Sequence, residues 1–351
     1  MITFIWRLSL LLYRNLKRGA ELMKIVILDA MTLTLNDDID FSVFNKYGEV
    51  VIYQFTEDKD IVERIKDADA VLCNKSLMTA DKLSHAHNLK YIGLFATGYN
   101  NIDLKYTREH GITVCNAGSY STEAVAQHVF ALILHNYNTV SKYNEFVWNE
   151  GWIKTNKFSP FMEMREIYDK TIGIIGYGSI GKKVAEIAAA FGMNVLVYSR
   201  SLLKENKSKE IGIKKINGQS RIVAADIDTI LKKSDIVTIH CPLNKDSEKM
   251  CNKEFFEKMK SNALFINTSR GGVVNEKDLV WALNHDVIGS AALDVIEKEP
   301  MSEESVLLNA KNLVITPHAA WAPLETRTRL IKIVDQNLKK WVAGTPINVI
   351  E

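Results

Sequence analysis

Cysteine is scarce and scattered: Cys73, Cys115, Cys241 and Cys251 are the four thiols of a 351-residue chain, with no short metal-ligand spacing among them. That pattern excludes a disulfide-stapled scaffold and fits small buried hydrophobes in a reducing cytoplasm. His85 and His87 form a lone His-x-His with no further ligands nearby, so no metal is expected. An excess of one charge is missing too. The 44 Lys and Arg against 42 Asp and Glu leave a formal charge of +2, too little to call for nucleic acid. The lysine-dense stretch 204–215 is broken by Glu205 and Glu210 and reads as a solvated excursion. A membrane-spanning stretch is absent as well. The apolar run Ile2–Tyr13 contains Arg7 and is too short to cross a bilayer. Its basic residues, Arg14, Lys17 and Arg18, follow the apolar run, whereas a secretory signal carries its charge first. Residues 1–22 are therefore expected outside the fold; a membrane-associating amphipathic segment is the other reading.

What remains is an ordinary globular composition, 47% hydrophobic and 25% charged, in a chain long enough for two domains. Short β-branched runs alternate with helix-like stretches, which predicts parallel sheets covered by helices. The first series has runs at Lys24–Leu28, Ala70–Cys73, Tyr91–Phe95 and Ile112–Cys115, with helices over Asp60–Lys66 and Asp103–His110. A long helix is predicted from Ser121, with Ser121 or Thr122 as its cap and Val125, Val129, Leu132 and Ile133 on one face. His128, within it, reads as a packed or subunit-facing residue. The second series has six runs: Thr171–Ile175, Asn194–Tyr198, Ile236–His240, Ala263–Asn267, Ile288–Asp294 and Leu313–Thr316. A last helix from about Leu324 to Val342 returns the chain to its first domain. The expected fold class is α/β, with two doubly wound parallel-sheet domains. A Rossmann nucleotide domain (119–317) is inserted into a flavodoxin-like substrate domain (24–118 and 318–351), with the active site between them.

Gly176, Gly178 and Gly181 stand in G-x-G-x-x-G spacing. Alone the motif is weak, but here a β-branched strand enters it and the helix-forming Lys182–Phe191 leaves it. Gly176 permits the tight turn, Gly178 lets backbone approach a pyrophosphate, and Gly181 allows close helix–strand packing. The pyrophosphate of a dinucleotide then sits on the helix N-terminus. After the second strand this chain has Ser199-Arg200 where an acid would meet the ribose of NAD. With no carboxylate to repel a 2′-phosphate, NADP is slightly favoured over NAD; a solvent-facing Arg200 is the alternative. Three polar sets follow later apolar strands: Arg270 after Asn267-Thr-Ser, two acids (Glu297 and Glu299) after Asp294, and His318 after Thr316-Pro. Any one is more often structural, but with the nucleotide motif they suit reduction of a keto acid.

At these residues the sequence resembles the D-isomer-specific 2-hydroxyacid dehydrogenases, over about residues 24–345. The glycine loop, Trp152, His240-Cys-Pro-Leu243, Ser269-Arg270-Gly271, Asp294–Pro300 and Pro317-His318 carry the resemblance. His318-Ala-Ala-Trp321 and Ser121–His128 look most like the glycerate dehydrogenase/hydroxypyruvate reductase branch. The resemblance implies that Arg270 binds the substrate carboxylate and that His318 donates a proton as the nicotinamide delivers hydride. It implies that Glu299, the acid before Pro300, orients His318 and favours its protonated form. Ser179, Ile180, Cys241, Pro242, Thr268, Ser269 and Asp294 would face the cofactor, with Asp294 beside the nicotinamide. Lys75, Ser76, Thr97 and Gly98 match loops whose backbone amides meet the substrate carboxylate; the Lys75 side chain contacts substrate or faces solvent. Trp321 walls the pocket or packs between domains or subunits. A cytoplasmic homodimer acting on glycerate/hydroxypyruvate or glycolate/glyoxylate is the expectation. The same architecture serves formate and phosphoglycerate dehydrogenases. It also serves a non-enzymatic NAD(H)-sensing corepressor, which is the alternative from another class.

Overall fold

A computed structural model describes residues 22–155, 158, 161–205 and 222–350, with backbone alone considered at 203–205. The segments expected outside the fold (1–22) or in a solvated excursion (204–215) lie almost wholly outside these. The chain divides into two compact units, residues 1–120 with 322–351, and residues 121–321.

The first unit holds a five-stranded parallel sheet in the order β2-β1-β3-β4-β5. Its strands are β1 (Met23–Ile27), β2 (Gly48–Ile52), β3 (Ala70–Cys73), β4 (Tyr91–Leu94) and β5 (Thr113–Cys115). Its central strands are buried on both faces, which is why they read as unbroken apolar runs rather than alternating ones. Val26, Val71, Ile92 and Val114 pack with Ile61 and Ile65 of the helix Ile61–Ile65 into one core. The helix Leu104–Glu109 starts where predicted, because the Asp103 side chain accepts the Tyr106 amide at 3.0 Å. The closing helix is Leu324–Val342. Arg327 anchors it by gripping Asp38 with both Nη atoms, at 2.6 and 2.8 Å.

The second unit holds a seven-stranded parallel sheet in the order β12-β11-β10-β9-β6-β7-β8. The strands are β6 (Thr171–Ile175), β7 (Asn194–Tyr198), β8 (Ile222–Ala224), β9 (Ile236–Ile239), β10 (Leu264–Asn267), β11 (Ser290–Leu293) and β12 (Leu313–Ile315). Order reverses between β6 and β9, the switch point at which doubly wound sheets bind ligands. The helix Thr122–Asn138 buries Val125, Val129, Leu132 and Ile133, the last three of them in this unit's core. Ser121 stands at its N-cap without a side-chain capping bond.

Two strands escape the sequence pattern, β2 and β8, and both are sheet edges. The unit boundaries also differ from 118 and 318. Tyr120 stays with the first unit, where its carbonyl accepts Arg329 Nη1 at 2.7 Å. Residues 318–321 stay with the second, because the amides of Ala319 and Ala320 bond the carboxylate of Asp294.

Candidate active site

The glycine loop joins β6 to the helix Ser179–Ala190. Gly176 has φ +104, and a Cβ there would lie 2.5–2.6 Å from the backbone of His240 and Cys241. No other residue fits that turn. At Gly181 a Cβ would meet the Gly176 carbonyl at 2.1 Å, so helix and strand could not close up, whereas Gly178 faces open space. The helix N-terminus is capped by no side chain, and its first-turn amides, Ile180 and Gly181 among them, have no acceptor within the helix. A concave backbone rich in N–H groups at a positive helix end suits a pyrophosphate. Thr268, just past β10, has a buried hydroxyl with no hydrogen-bond partner, as a residue awaiting a ligand group would. These residues fit a dinucleotide.

Around that cradle, Arg200 begins the helix Arg200–Glu205 and reaches Asp246 Oδ2 at 2.9 Å, with both side chains largely exposed. Such a pair contributes about 0–1 kcal/mol and is readily exchanged. The Ser199 and Ser201 hydroxyls are 3.0 Å apart. Cys241 is half-buried, and burial raises its thiol pKa, which leaves it uncharged beside a phosphate site. The Pro242 carbonyl accepts the Ser247 hydroxyl at 2.6 Å, which shapes the loop after β9.

The loops after β10, β11 and β12 leave neighbouring strands in the same direction. Asn267, fully buried, builds the first: its Oδ1 accepts the Ser269 amide and hydroxyl, and its Nδ2 donates to the Arg270 carbonyl at 2.9 Å. The hydroxyl of Ser269 therefore braces the turn. Arg270 Nη1 donates to the Ser269 carbonyl at 2.7 Å, which orients the guanidinium. Gly271 touches the next loop. A Cβ there would stand 1.9 Å from the Ile296 carbonyl carbon and oxygen and 2.4 Å from Glu297 N.

On that second loop Glu299 Oε2 lies 2.7 Å from His318 Nδ1, while Oε1 accepts the Ile296 amide at 3.2 Å. Glu297 pairs instead with Lys249, at 3.1 Å. A carboxylate only accepts, so His318 Nδ1 carries a proton and Nε2 is the atom left for chemistry. His318 has φ +55, a left-handed conformation that costs a non-glycine residue on the order of 1–2 kcal/mol. Asp294 holds it there. The Asp294 carbonyl accepts the His318 amide at 2.7 Å, and its carboxylate takes Ala319 N–H at 2.8 Å and Ala320 N–H at 3.0 Å. At 1% exposure Asp294 serves the histidine segment, a role beyond the one the resemblance gave it. Trp321 follows, half-buried.

The remaining predicted residues lie in the first unit. Asp29 Oδ2 accepts the amides of Lys75 and Ser76, at 2.7 and 2.9 Å, and the Ser76 hydroxyl at 2.9 Å. These amides, expected to meet the substrate, are already paired to a buried carboxylate that needs donors. Ser76 therefore shapes the loop, and Lys75 is left with its exposed side chain. The Thr97 hydroxyl donates to the Gly118 carbonyl, and the Thr97 carbonyl accepts Asn116 Nδ2 at 2.8 Å, which fixes the Thr97-Gly98 turn. Asn267, Asp29, Thr316 and the close approach at Gly271 were not singled out as site-building residues in the sequence. Their partners are mostly distant in the chain, and only the Asn267-Thr-Ser-Arg spacing offered a local signal.

A nucleotide cradle beside an arginine and a carboxylate-bound histidine defines a nicotinamide-dependent oxidoreductase of hydroxy and keto acids. The chain belongs to the D-isomer-specific 2-hydroxyacid dehydrogenases: that family's NAD-binding-domain model matches residues 130–320. It is 38% identical to a hydroxypyruvate reductase of Blautia hydrogenotrophica, over 93% of this chain and 99% of that one. It is 36% identical to a glycerate dehydrogenase of Methylorubrum extorquens, with the same coverage. Among solved structures, the D-lactate dehydrogenase of Aquifex aeolicus with NAD and lactic acid superposes with a TM-score of 0.75. It shares 27% identity, covering 92% of this chain and 96% of that one. Nothing in these relatives supports the non-enzymatic sensing alternative.

Proposed function

We propose that the protein reduces a small 2-keto acid, hydroxypyruvate or glyoxylate, to the D-2-hydroxy acid. The observation that carries this reading is the His318–Glu299 pair, held at the end of a nucleotide-binding sheet beside the Arg270 loop. Nicotinamide supplies hydride chemistry when bound. Gly176, Gly178, Ser179, Ile180 and Gly181 would hold the pyrophosphate, and Thr268, Ser269, Cys241, Pro242 and Asp294 would border the rest of the dinucleotide. Arg270 takes the substrate carboxylate with its planar, donor-rich guanidinium and polarises the keto oxygen. His318 Nε2–H gives its proton to that oxygen; the neutral ring that remains keeps its Nδ1–H on Glu299, so donation needs no rearrangement. Lys75, Thr97 and Gly98 are assigned to the substrate on resemblance alone, and Trp321 to limiting side-chain size.

Arg200 would take a 2′-phosphate by leaving its exposed pair with Asp246, so NADP is slightly favoured over NAD. A homodimer is the proposed assembly. Val140, Val147, Trp148, Trp152, Ile153 and Phe161 are all exposed within one short stretch, and a subunit contact would cover such apolar side chains. The four free thiols agree with a cytoplasmic enzyme. Among the described residues no helix is long and apolar enough to cross a membrane. The test is a panel of hydroxypyruvate, glyoxylate, pyruvate and 3-phosphohydroxypyruvate, each with NADH and NADPH. The first two should give the highest kcat/KM; turnover of none would refute the reading.

A further inference from the structure

The helix face carrying Val125, Val129 and Leu132 is apolar, yet His128 lies among these residues in sequence with a side chain only 22% exposed. A polar ring so placed is costly unless it finds a partner. Its Nε2 lies 3.0 Å from Thr316 Oγ1 and 3.5 Å from Asp294 Oδ1. Thr316 Oγ1 is itself 2.5 Å from Asp294 Oδ1. A carboxylate can only accept, so the one hydroxyl proton of Thr316 goes to Asp294. Thr316 Oγ1 then faces His128 as an acceptor, and His128 Nε2 must carry a proton. The direction of the chain is fixed: His128 donates to Thr316, and Thr316 donates to Asp294. The same carboxylate binds the amides of Ala319 and Ala320, and the Asp294 carbonyl binds that of His318. These three bonds bracket the left-handed backbone of His318.

We propose that His128 is a positioning residue: by donating through Thr316 it sets the Asp294 carboxylate that clamps residues 318–320, and so aims the His318 imidazole. The proposal rests on the reading of His318 as proton donor. It separates His128 from a histidine that merely packs, because its effect runs through a hydroxyl 188 residues away and ends at a reacting group.

The test compares the parent with His128→Leu, His128→Gln, Thr316→Val and the Leu/Val double variant, at saturating cofactor, with melting temperatures alongside. His128→Leu and Thr316→Val should each lower kcat on the order of tenfold, with KM changing less, as expected for a slightly misaimed catalytic group. His128→Gln, whose side-chain amide can donate from near the same point, should regain most of the loss. The double variant should be no slower than Thr316→Val, because both act along one chain of bonds. An active parent with undiminished kcat in His128→Leu would overturn the proposal, as would a Gln variant no better than Leu, or losses that multiply. An inactive parent would sink the assigned activity instead. Ring-nitrogen shifts of 15N-histidine-labelled parent need neither turnover nor a folded variant. Nε2–H at His128 supports the chain of donors, and an Nδ1–H tautomer overturns it.

Discussion

Replacing Gly271 with alanine tests whether the Arg270 loop and the Glu299 loop work as one packed body. The new Cβ would start 1.9 Å from the Ile296 carbonyl atoms and 2.4 Å from Glu297 N, all backbone and unable to rotate aside. Reaching ordinary contact at about 3.4 Å requires the loops to separate by about 1.5 Å. Overpacking of that kind costs roughly 1–3 kcal/mol, or about 2–12 °C in Tm for a unit of this size. The larger consequence is chemical. A displacement of about 1 Å between groups that share a transition state lowers kcat on the order of 10²-fold. Gly272→Ala is the control, since its Cβ would meet only the Leu243 side chain, at 3.0 Å, and that can turn away. Steady-state keto-acid reduction and calorimetry on both variants give the answer. Parental kcat and Tm in Gly271→Ala would refute the claim that close backbone approach sets the site.

Glu299→Gln should lower kcat on the order of 10²-fold, whereas Glu297→Gln, which loses only an exposed pair with Lys249, should stay near parental; reversed effects would assign the wrong acid. Desolvation pushes the half-buried His240 imidazole down to about 3, so the native ring stays neutral while the unfolded chain takes up a proton below about pH 6.5. Stability is therefore undiminished above about pH 6.5 and falls as pH drops toward 3, by up to about 2 kcal/mol at pH 5. His240→Gln should narrow the difference in Tm between pH 7 and pH 5, and an unchanged difference would contradict a ring kept neutral by the fold. Ser199→Asp with Arg200→Ala should turn a preference for NADPH into one for NADH, by adding repulsion and removing a charge-assisted bond of about 1.5–3 kcal/mol. An NADH-preferring parent that ignores the double change would place Arg200 in solvent.

The sheets were legible wherever strands are buried on both faces, because such runs are apolar throughout: β3, β4, β6 and β9 read directly. The edges were not. Gly48–Ile52 is partly exposed along its length and opens with Gly48-Glu49, and β8 is three residues long, so their apolar runs (Val50–Tyr53 and Ile222–Ala225) are too short and too weakly bounded to stand out. At the site, the glycine loop and the strand-end residues were visible because their spacing is local. The acid before Pro300 came from the family pattern rather than from any local signal. Contacts across long separations were hidden. Nothing near Lys75 and Ser76 in sequence announces that Asp29, 46 and 47 residues away, has taken their amides. Likewise His128 read as a packed residue because Thr316 and Asp294 reach it only through the fold.

If His318, held by Glu299, protonates the keto oxygen, His318→Ala must lose turnover while still binding cofactor. Hydroxypyruvate reduction should be measured for parent and variant, with cofactor affinity determined separately by fluorescence titration. In His318→Ala kcat should fall on the order of 10²–10⁴-fold with cofactor affinity essentially unchanged, since the glycine loop is untouched. Near-parental turnover in His318→Ala would contradict it.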